Sequence, residues 1–155
     1  MPVVHFTLPF QKIQYMSSRI NCILLVDDDE PTNMFHRIVL ENTGVSKVIK
    51  VAETGFQALR LLQDPQDITC QDPDIIFLDL NMPGMNGWEF IDNYRKLRIQ
   101  GTAPSKIFIL TTSSDDDDIK RAEGIKEIQG FRSKPLTEEM IQEIIDQYFP
   151  PGEVA

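Results

Sequence analysis

Short apolar runs alternate with helix-like stripes along the chain from Ile20 onward. Five of these runs are rich in Ile, Val, Leu and Phe, and three of them lack polar alternation, as strands buried on both faces should. The predicted strands are Ile20–Val26, Lys47–Ala52, Asp74–Leu78, Lys106–Leu110 and Ile128–Arg132. The pattern therefore predicts one continuous series of strands with helices between them.

The segments between the predicted strands carry helix-start signals. Pro31 suits a first helical position, Thr54 with Gln57 forms a capping box, and the expected caps of the remaining helices are Asn86, Ser114 and Thr137. Two apolar stripes are predicted to face the core: Met34, Phe35, Ile38 and Val39 in the first helix, and Met140, Ile141, Ile144, Ile145 and Tyr148 in the last.

Alternating strands and helices in this number predict an α/β fold. Five βα units favour a doubly wound, five-stranded parallel sheet with helices on both faces. In such sheets, ligands bind beyond the carboxyl ends of the strands, near the point where the strand order reverses. The residues that directly follow each strand are therefore the first candidates for a functional site.

The length of 155 residues suits one ordinary domain. We expect this domain to span residues 19–150, after an N-terminal extension of unknown role (residues 1–18) and before a short tail (residues 151–155). Within the extension, Val3 to Leu8 are compatible with one additional short strand.

Charge and hydropathy exclude several classes of partner. The formal net charge is −9 and no Lys/Arg cluster stands out, so we expect no nucleic-acid partner. The apolar runs are too short for membrane insertion, and the N-terminus lacks a secretory signal, so a cytoplasmic location is expected. Cys22 and Cys70 match no metal or redox spacing, and we expect both to be reduced, Cys22 in the core and Cys70 in a polar loop.

Polar residues lie at or just beyond the carboxyl ends of four of the predicted strands. Asp27 and Asp28 follow the first strand, Asp79 the third, Thr111 the fourth and Lys134 the fifth. Three carboxylates at one sheet edge repel one another, and one lysine cannot neutralise them, so either their pKa values rise or a cation lies among them. Mg²⁺ suits a few carboxylates with positions left open for water and phosphate.

With a cation in place, Asp79 can act as a nucleophile towards phosphorus and form an acyl phosphate. Lys134 offers a point charge, and the Thr111 hydroxyl offers a hydrogen bond, to the oxygens of the phosphoryl group. Phosphoryl transfer needs mainly positioning and charge neutralisation, which these residue types supply.

Four segments together resemble the receiver domains of two-component response regulators, of the single-domain chemotaxis type. They are residues 24–29 (LLVDDD), 77–87 (FLDLNMPGMNG), 109–112 (ILTT) and 130–136 (GFRSKPL), in the family's order and spacing. The resemblance covers about Asn21 to Phe149 and implies a flavodoxin-like sheet of strand order 2-1-3-4-5.

The resemblance also implies a role for each matching residue. Asp79 would be the phosphoacceptor, and the Mg²⁺ site would consist of Asp28, Asp79, the backbone carbonyl of Asn81 and, through water, Asp27. The switch hydroxyl would be Thr111, with Thr112 as the alternative. Phe131 would be the switch aromatic, and Lys134 the phosphate-sensing ammonium, held by a cis bond to Pro135.

The implied function is a phosphorylation-activated switch that catalyses only its own phosphorylation and dephosphorylation. The donor would be a sensor histidine kinase or a histidine phosphotransfer protein, and the output would be docking to an unidentified downstream protein. A homodimer is left open.

Two other functions compete with this one. A phosphatase of the haloacid dehalogenase type would place its nucleophile after the first strand, but the segment Asp27 to Glu30 runs into Pro31 and that family does not explain Asp79. A receiver fold kept only for docking would not need Asp79, Thr111 and Lys134 together.

Overall fold

The strands form one parallel sheet, as the apolar runs predict. The computed structural model describes residues 20–64, 66–98, 104–112 and 115–151. Its strands are β1 (Ile20–Val26), β2 (Ser46–Ala52), β3 (Ile75–Leu78), β4 (Lys106–Thr111) and β5 (Ile128–Ser133). Their order in the sheet is β2-β1-β3-β4-β5, and all four neighbouring pairs are parallel. The predicted fold class and strand order are therefore confirmed.

Five α-helices and a short 3₁₀ helix accompany the strands within the described ranges, and the last helix follows β5. They are α1 (Glu30–Thr43), α2 (Gly55–Leu61), the 3₁₀ helix Ile68–Cys70, α3 (Gly87–Leu97), α4 (Asp116–Glu123) and α5 (Glu138–Tyr148). None of the described helices combines the length and apolar character needed to cross a bilayer. The predicted extension, residues 1–18, and residues 152–155 of the predicted tail lie outside the described residues.

Helix caps follow the predicted signals with three differences. Asn86, Thr54 and Thr137 cap their helices as predicted. The Gln57 side chain, however, accepts from the Glu53 N–H rather than from the cap itself. The first helix begins one residue before Pro31, because Asp29 acts as its cap and accepts from the Thr32 N–H. The cap of α4 is Asp115, and Ser114 lies outside the described residues.

The core consists of two layers, one on each face of the sheet. On one face α1 and α5 pack against β1 and β3, through Leu40, Ile141, Ile144 and Ile145 among others. On the other face α2, α3 and α4 pack through residues that include Ala58, Phe90, Ile91, Tyr94 and Ala122. Every strand except the edge strands is thereby covered on both sides, which explains the uninterrupted apolar runs.

The predicted apolar stripe of the first helix is wrong. Met34 is 60% exposed, and Phe35 and Ile38 are each 50% exposed, while Val39 is partly buried. The buried residues of α1 are instead Asn33, His36, Leu40 and Thr43. Polar side chains can occupy a buried face where hydrogen bonds to other elements satisfy them, and both Asn33 and His36 have such bonds.

The expectation of two reduced cysteines is also wrong. Cys22 in β1 and Cys70 in the 3₁₀ helix form a disulfide with a Cα–Cα distance of 5.6 Å. Both residues are buried. The 3₁₀ helix packs against β1 although 48 residues separate the two cysteines in the chain, so their spacing in the sequence does not reveal the pairing.

Candidate functional site

The carboxyl edge of the sheet brings together the polar residues that follow the strands. Asp27 and Asp28 leave β1, and Asp79 leaves β3, which is the neighbour of β1. β1 also neighbours β2, so the chain reverses its strand order at β1 and β3. The carboxylates therefore lie at the position where open α/β sheets bind their ligands.

Three carboxylates form one cluster at this edge. An oxygen of Asp27, of Asp28 and of Asp79 all lie within 4.8 Å of one another. Asp27 and Asp79 are buried, whereas Asp28 is exposed. Oxygen ligands at this separation, with one side open to solvent, fit a hard divalent cation that keeps part of its water shell.

Lys134 supplies the positive charge of the site. Its Nζ lies 2.5 Å from Asp27 Oδ2 and 3.4 Å from Asp79 Oδ1. Burial on its own lowers the pKa of Lys134, but the hydrogen bond to Asp27 and the charges of Asp27 and Asp79 outweigh burial. The pKa of Lys134 therefore lies above its ordinary value, and the side chain remains an ammonium.

The pKa of Asp79 is set by its burial and by its charged neighbours. Burial raises the pKa of the Asp79 carboxyl, and repulsion by Asp27 acts in the same direction, while Lys134 and the Asn81 backbone N–H lower it. The net pKa of Asp79 lies above its ordinary value because burial dominates. A carboxylate with a raised pKa is the more basic, and hence the more nucleophilic, oxygen donor.

Asp27 is held by two hydrogen bonds that leave it little freedom. Its Oδ2 accepts from Lys134, and its Oδ1 accepts from the Asp29 N–H at 2.9 Å. Asp79 interacts with the Asn81 backbone N–H and with Lys134, but its contact with Lys134, at 3.4 Å, is longer than the 2.5 Å contact of Asp27. The two buried carboxylates therefore differ in how closely they bind the lysine, and Asp27 is its nearer partner.

The loop after β3 is built around two glycines. Gly84 has a φ of +79°, which a residue with a side chain adopts only with strain. A Cβ at Gly87 would lie 2.8 Å from the Asp79 carbonyl oxygen and 2.8 Å from Leu80 Cα. The start of α3 thus packs directly on the backbone that carries Asp79, and Asn81 stays exposed in the loop between them.

The remaining predicted residues lie on β4 and β5 or just after them. Thr111 is 1% exposed at the end of β4, whereas Thr112 is exposed. Phe131 lies beside Ile109 in the β4–β5 pair and packs, partly buried, against the α2–α4 core layer. The Lys134–Pro135 peptide bond is cis. The sheet therefore places Thr111 and Lys134 at the same edge as Asp79.

Sequence reasoning missed two polar residues beneath the site. Asn33 Nδ2 donates to the Asp27 carbonyl oxygen at 2.7 Å, and His36 Nε2 accepts from the Leu136 N–H at 3.1 Å. Burial lowers the pKa of His36, as does the Lys134 charge, while Asp27 acts in the other direction. The available signal was spacing: Asn33, His36 and Leu40 follow the i, i+3, i+7 pattern of one helix face.

Comparison with known proteins identifies the protein family to which the chain belongs. A family model described as the response regulator receiver domain matches residues 23–146. The chain belongs to this family, whose members act as phosphorylation-dependent signalling switches in two-component systems.

Individual relatives agree with this assignment. The nitrate/nitrite response regulator protein NarL of Escherichia coli K12 is 31% identical over 116 residues, which cover 69% of this chain and 45% of that protein. The chain therefore spans less than half of this relative's length. An uncharacterised 14.6 kDa protein of Leptolyngbya boryana is 29% identical over 132 residues, covering 83% of this chain and 92% of that one.

Solved structures show the same fold. A two-component response regulator from Cytophaga hutchinsonii superposes with a TM-score of 0.72 at 28% identity, covering 83% of this chain and 96% of that one. A response regulator receiver protein from Dyadobacter fermentans has a TM-score of 0.68 at 26% identity, covering 83% and 98%.

Proposed function

We propose that Asp79 accepts a phosphoryl group in the presence of Mg²⁺ and that the chain transmits the signal by docking to another protein. One observation carries this proposal: at the reversal point of the sheet, the buried Asp79 carboxylate, whose pKa is raised, clusters with two further carboxylates and lies 3.4 Å from the partly buried Lys134 ammonium. Nucleophile, positive charge and cation ligands are then present in one place.

The residues that would hold Mg²⁺ are Asp28 and Asp79 through their side chains, Asn81 through its backbone carbonyl, and Asp27 through water. The clustering of carboxylate oxygens within 4.8 Å fits such an ion. When bound, Mg²⁺ neutralises negative charge on the carboxylates and on the incoming phosphoryl oxygens.

The transfer step requires one bond to form and one to break. An Asp79 carboxylate oxygen attacks phosphorus, a new O–P bond forms, and the bond from phosphorus to the donor atom breaks. The donor atom leaves with the bonding electron pair: an imidazole nitrogen for a phosphohistidine donor, or a carboxylate oxygen for acetyl phosphate. The donor proteins we propose are a sensor histidine kinase or a histidine phosphotransfer protein.

Lys134 and Thr111 would stabilise the transferred group. The Lys134 ammonium already lies 3.4 Å from Asp79 Oδ1, so a phosphoryl oxygen on Asp79 comes within its reach. The buried position of Thr111 favours it over the exposed Thr112 as the hydroxyl that hydrogen-bonds the phosphoryl group. These contacts neutralise charge where it develops.

Phosphorylation would then bias two conformations of β5 and the adjacent helices. Movement of Thr111 towards the phosphoryl group frees space beside β4, and Phe131, now only partly buried, turns into it. The surface around Phe131, α4 and α5 would dock a downstream protein target. The chain itself catalyses nothing beyond gain and loss of its own phosphoryl group.

Intact-mass measurement tests the proposal. Incubation with Mg²⁺ and acetyl phosphate should add one phosphoryl group to the wild-type chain and none after Asp79→Ala. Borohydride reduction of the labelled chain should convert residue 79 to homoserine, which peptide mapping locates. Asp92→Ala removes an exposed aspartate in α3 and should leave labelling unchanged.

Each alternative function predicts a different result. Labelling that survives Asp79→Ala but disappears with Asp27→Ala would support the phosphatase hypothesis instead. If a folded wild-type chain takes up no label, either with Mg²⁺ or with the metal chelated, phosphorylation would not be its function. The chain would then act only as a docking module.

A further inference from the structure

The buried face of α1 carries a histidine that the proposed chemistry does not use. His36 is 2% exposed, and Asn33, one turn earlier on the same face, is 3% exposed. Both residues line a cavity of about 10 Å³ together with Asp27 and Asp79. This face of the helix therefore lies directly beneath the two buried carboxylates of the site.

His36 hydrogen-bonds the segment that carries Lys134. The Leu136 N–H donates to His36 Nε2 at 3.1 Å. An accepting Nε2 requires a neutral ring with its proton on Nδ1. Burial favours this neutral form, because it disfavours the imidazolium. The ring thus offers a fixed lone pair to a backbone N–H two residues beyond Lys134.

Two backbone hydrogen bonds hold the chain at Lys134 and two residues beyond it. Upstream, the Lys134 N–H donates to the Thr111 carbonyl oxygen at 2.8 Å, as an extension of the β4–β5 pairing. Downstream, Pro135 has no N–H to donate, so the next available donor is Leu136, and its acceptor is a side chain rather than the sheet. Without His36, the Leu136 N–H would lose this acceptor, and the backbone beyond Lys134 would be held by the packing of the buried Leu136 side chain.

We propose that His36 is a positioning residue for phosphoryl transfer: by accepting from the Leu136 N–H it holds the Lys134 ammonium against Asp27 and Asp79. This inference rests on the proposed function of Asp79. The positioning matters because the ammonium makes one contact of 2.5 Å and one of 3.4 Å with the two carboxylates. Displacement of a charge by about 1 Å can slow a transfer by up to about a hundredfold.

The test compares three variants of the full chain by their rate of labelling with acetyl phosphate at saturating Mg²⁺. His36→Leu removes the acceptor, whereas His36→Gln keeps one, since its Oε1 lies the same number of bonds from the backbone as Nε2. Thr43→Val removes a buried hydroxyl from the same helix face, far along α1 from the site, and serves as the control.

We expect labelling to slow at least about tenfold in His36→Leu and to stay within about threefold of wild type in His36→Gln and in Thr43→Val. The Mg²⁺ affinity should change less than about twofold in all three, because the hydrogen bond of His36 is with the Leu136 N–H and not with a proposed cation ligand. A merely structural role would instead lower Mg²⁺ affinity and labelling together.

Three results would overturn the inference: wild-type labelling by a folded His36→Leu chain, equal slowing in His36→Gln, or an imidazole protonated at Nε2 in the ¹⁵N spectrum of the wild-type chain at neutral pH. The spectrum needs no variant and no label, so it decides the matter even where His36→Leu does not fold. A wild-type chain that takes no label at all contradicts the proposed function itself, which separates the two failures.

Discussion

Gly87 packs against the backbone of Asp79 so closely that no side chain fits between them. A Cβ at Gly87 would lie 2.8 Å from the Asp79 carbonyl oxygen. The Gly87 N–H also donates to the Leu80 carbonyl oxygen at 2.9 Å. The first residue of α3 thereby fixes the position of the strand end that carries the candidate phosphoacceptor.

Substitution Gly87→Ala should therefore disturb both stability and labelling. Its methyl group meets backbone atoms, which cannot move aside as a flexible side chain can, and overpacking of this kind costs about 1–3 kcal/mol of unfolding free energy. Because the strain falls on the Asp79 backbone, we expect acetyl phosphate labelling to slow as well. Urea unfolding and intact mass measure the two effects.

Gly124→Ala is the matched control for this substitution. A Cβ at Gly124 would lie 3.6 Å from its nearest heavy atom, the Arg121 carbonyl oxygen, which is an ordinary contact. Its φ of −82° suits any residue. The unfolding free energy should stay within about 0.5 kcal/mol of wild type. Equal effects at both glycines would contradict the role given to the close approach at Gly87.

Mg²⁺ should stabilise the folded chain through the carboxylate cluster. A ligand that binds the folded state at ten times its dissociation constant adds about 1.4 kcal/mol to the unfolding free energy. Asp28→Ala should abolish this gain, because Asp28 contributes one of the clustered oxygens. Without Mg²⁺ the same variant should differ little from wild type, since Asp28 is exposed.

Thermal unfolding with and without Mg²⁺ measures this difference. Glu143→Ala, which removes an exposed carboxylate from α5, should keep the full Mg²⁺ response. A gain that persists in Asp28→Ala would contradict the assignment of Asp28 as a ligand and would point to Mg²⁺ binding elsewhere on this acidic chain.

The sheet and the location of the site were predictable because both depend on local patterns. Buried parallel strands need uninterrupted apolar runs, and β1 and β3 have them. A polar residue directly after such a run must emerge at the carboxyl edge, so the sequence pattern alone predicts the location of Asp27 and Asp79. The family resemblance added the strand order, which the apolar pattern alone does not determine.

The inner face of α1 was not predictable from the apolar residues of the helix. Met34, Phe35 and Ile38 are three apolar residues of the helix at helical spacing, yet they lie exposed. Asn33 and His36 are buried because each meets a backbone group from outside the helix, Asp27 O and Leu136 N. Such partners come together only in the folded chain, and so do Cys22 and Cys70.

Truncation of a side chain to alanine should therefore lower the unfolding free energy by different amounts on the two faces of α1. Phe35→Ala removes a ring that is 50% exposed and should cost less than about 1 kcal/mol of unfolding free energy. Leu40→Ala empties a fully buried position against β1 and α5 and should cost about 2–5 kcal/mol. Urea unfolding of the two variants gives both values, and a larger loss in Phe35→Ala would restore the apolar stripe to the core.

The unfolding free energy of the chain should decrease as the pH is lowered, and protonation of His36 should cause part of this decrease. Burial lowers the pKa of His36 below the ordinary 6.5, Lys134 lowers it further, and Asp27 opposes both. The unfolded chain therefore binds a proton at a higher pH than the folded chain does. This contribution to stability is complete above pH 6.5 and is lost as the pH falls through the folded pKa, with a slope of at most about 1.4 kcal/mol per pH unit.

His36→Gln isolates this contribution, because it keeps a hydrogen-bond acceptor for Leu136 and cannot titrate. Urea unfolding at pH 7.5, 6.5 and 5.5 should show a steeper loss for the wild type than for the variant, since the carboxylates titrate in both chains alike. Parallel curves would mean that His36 binds its proton equally well in the folded and unfolded chains. That result would contradict a neutral imidazole held between Leu136 and the Lys134 charge.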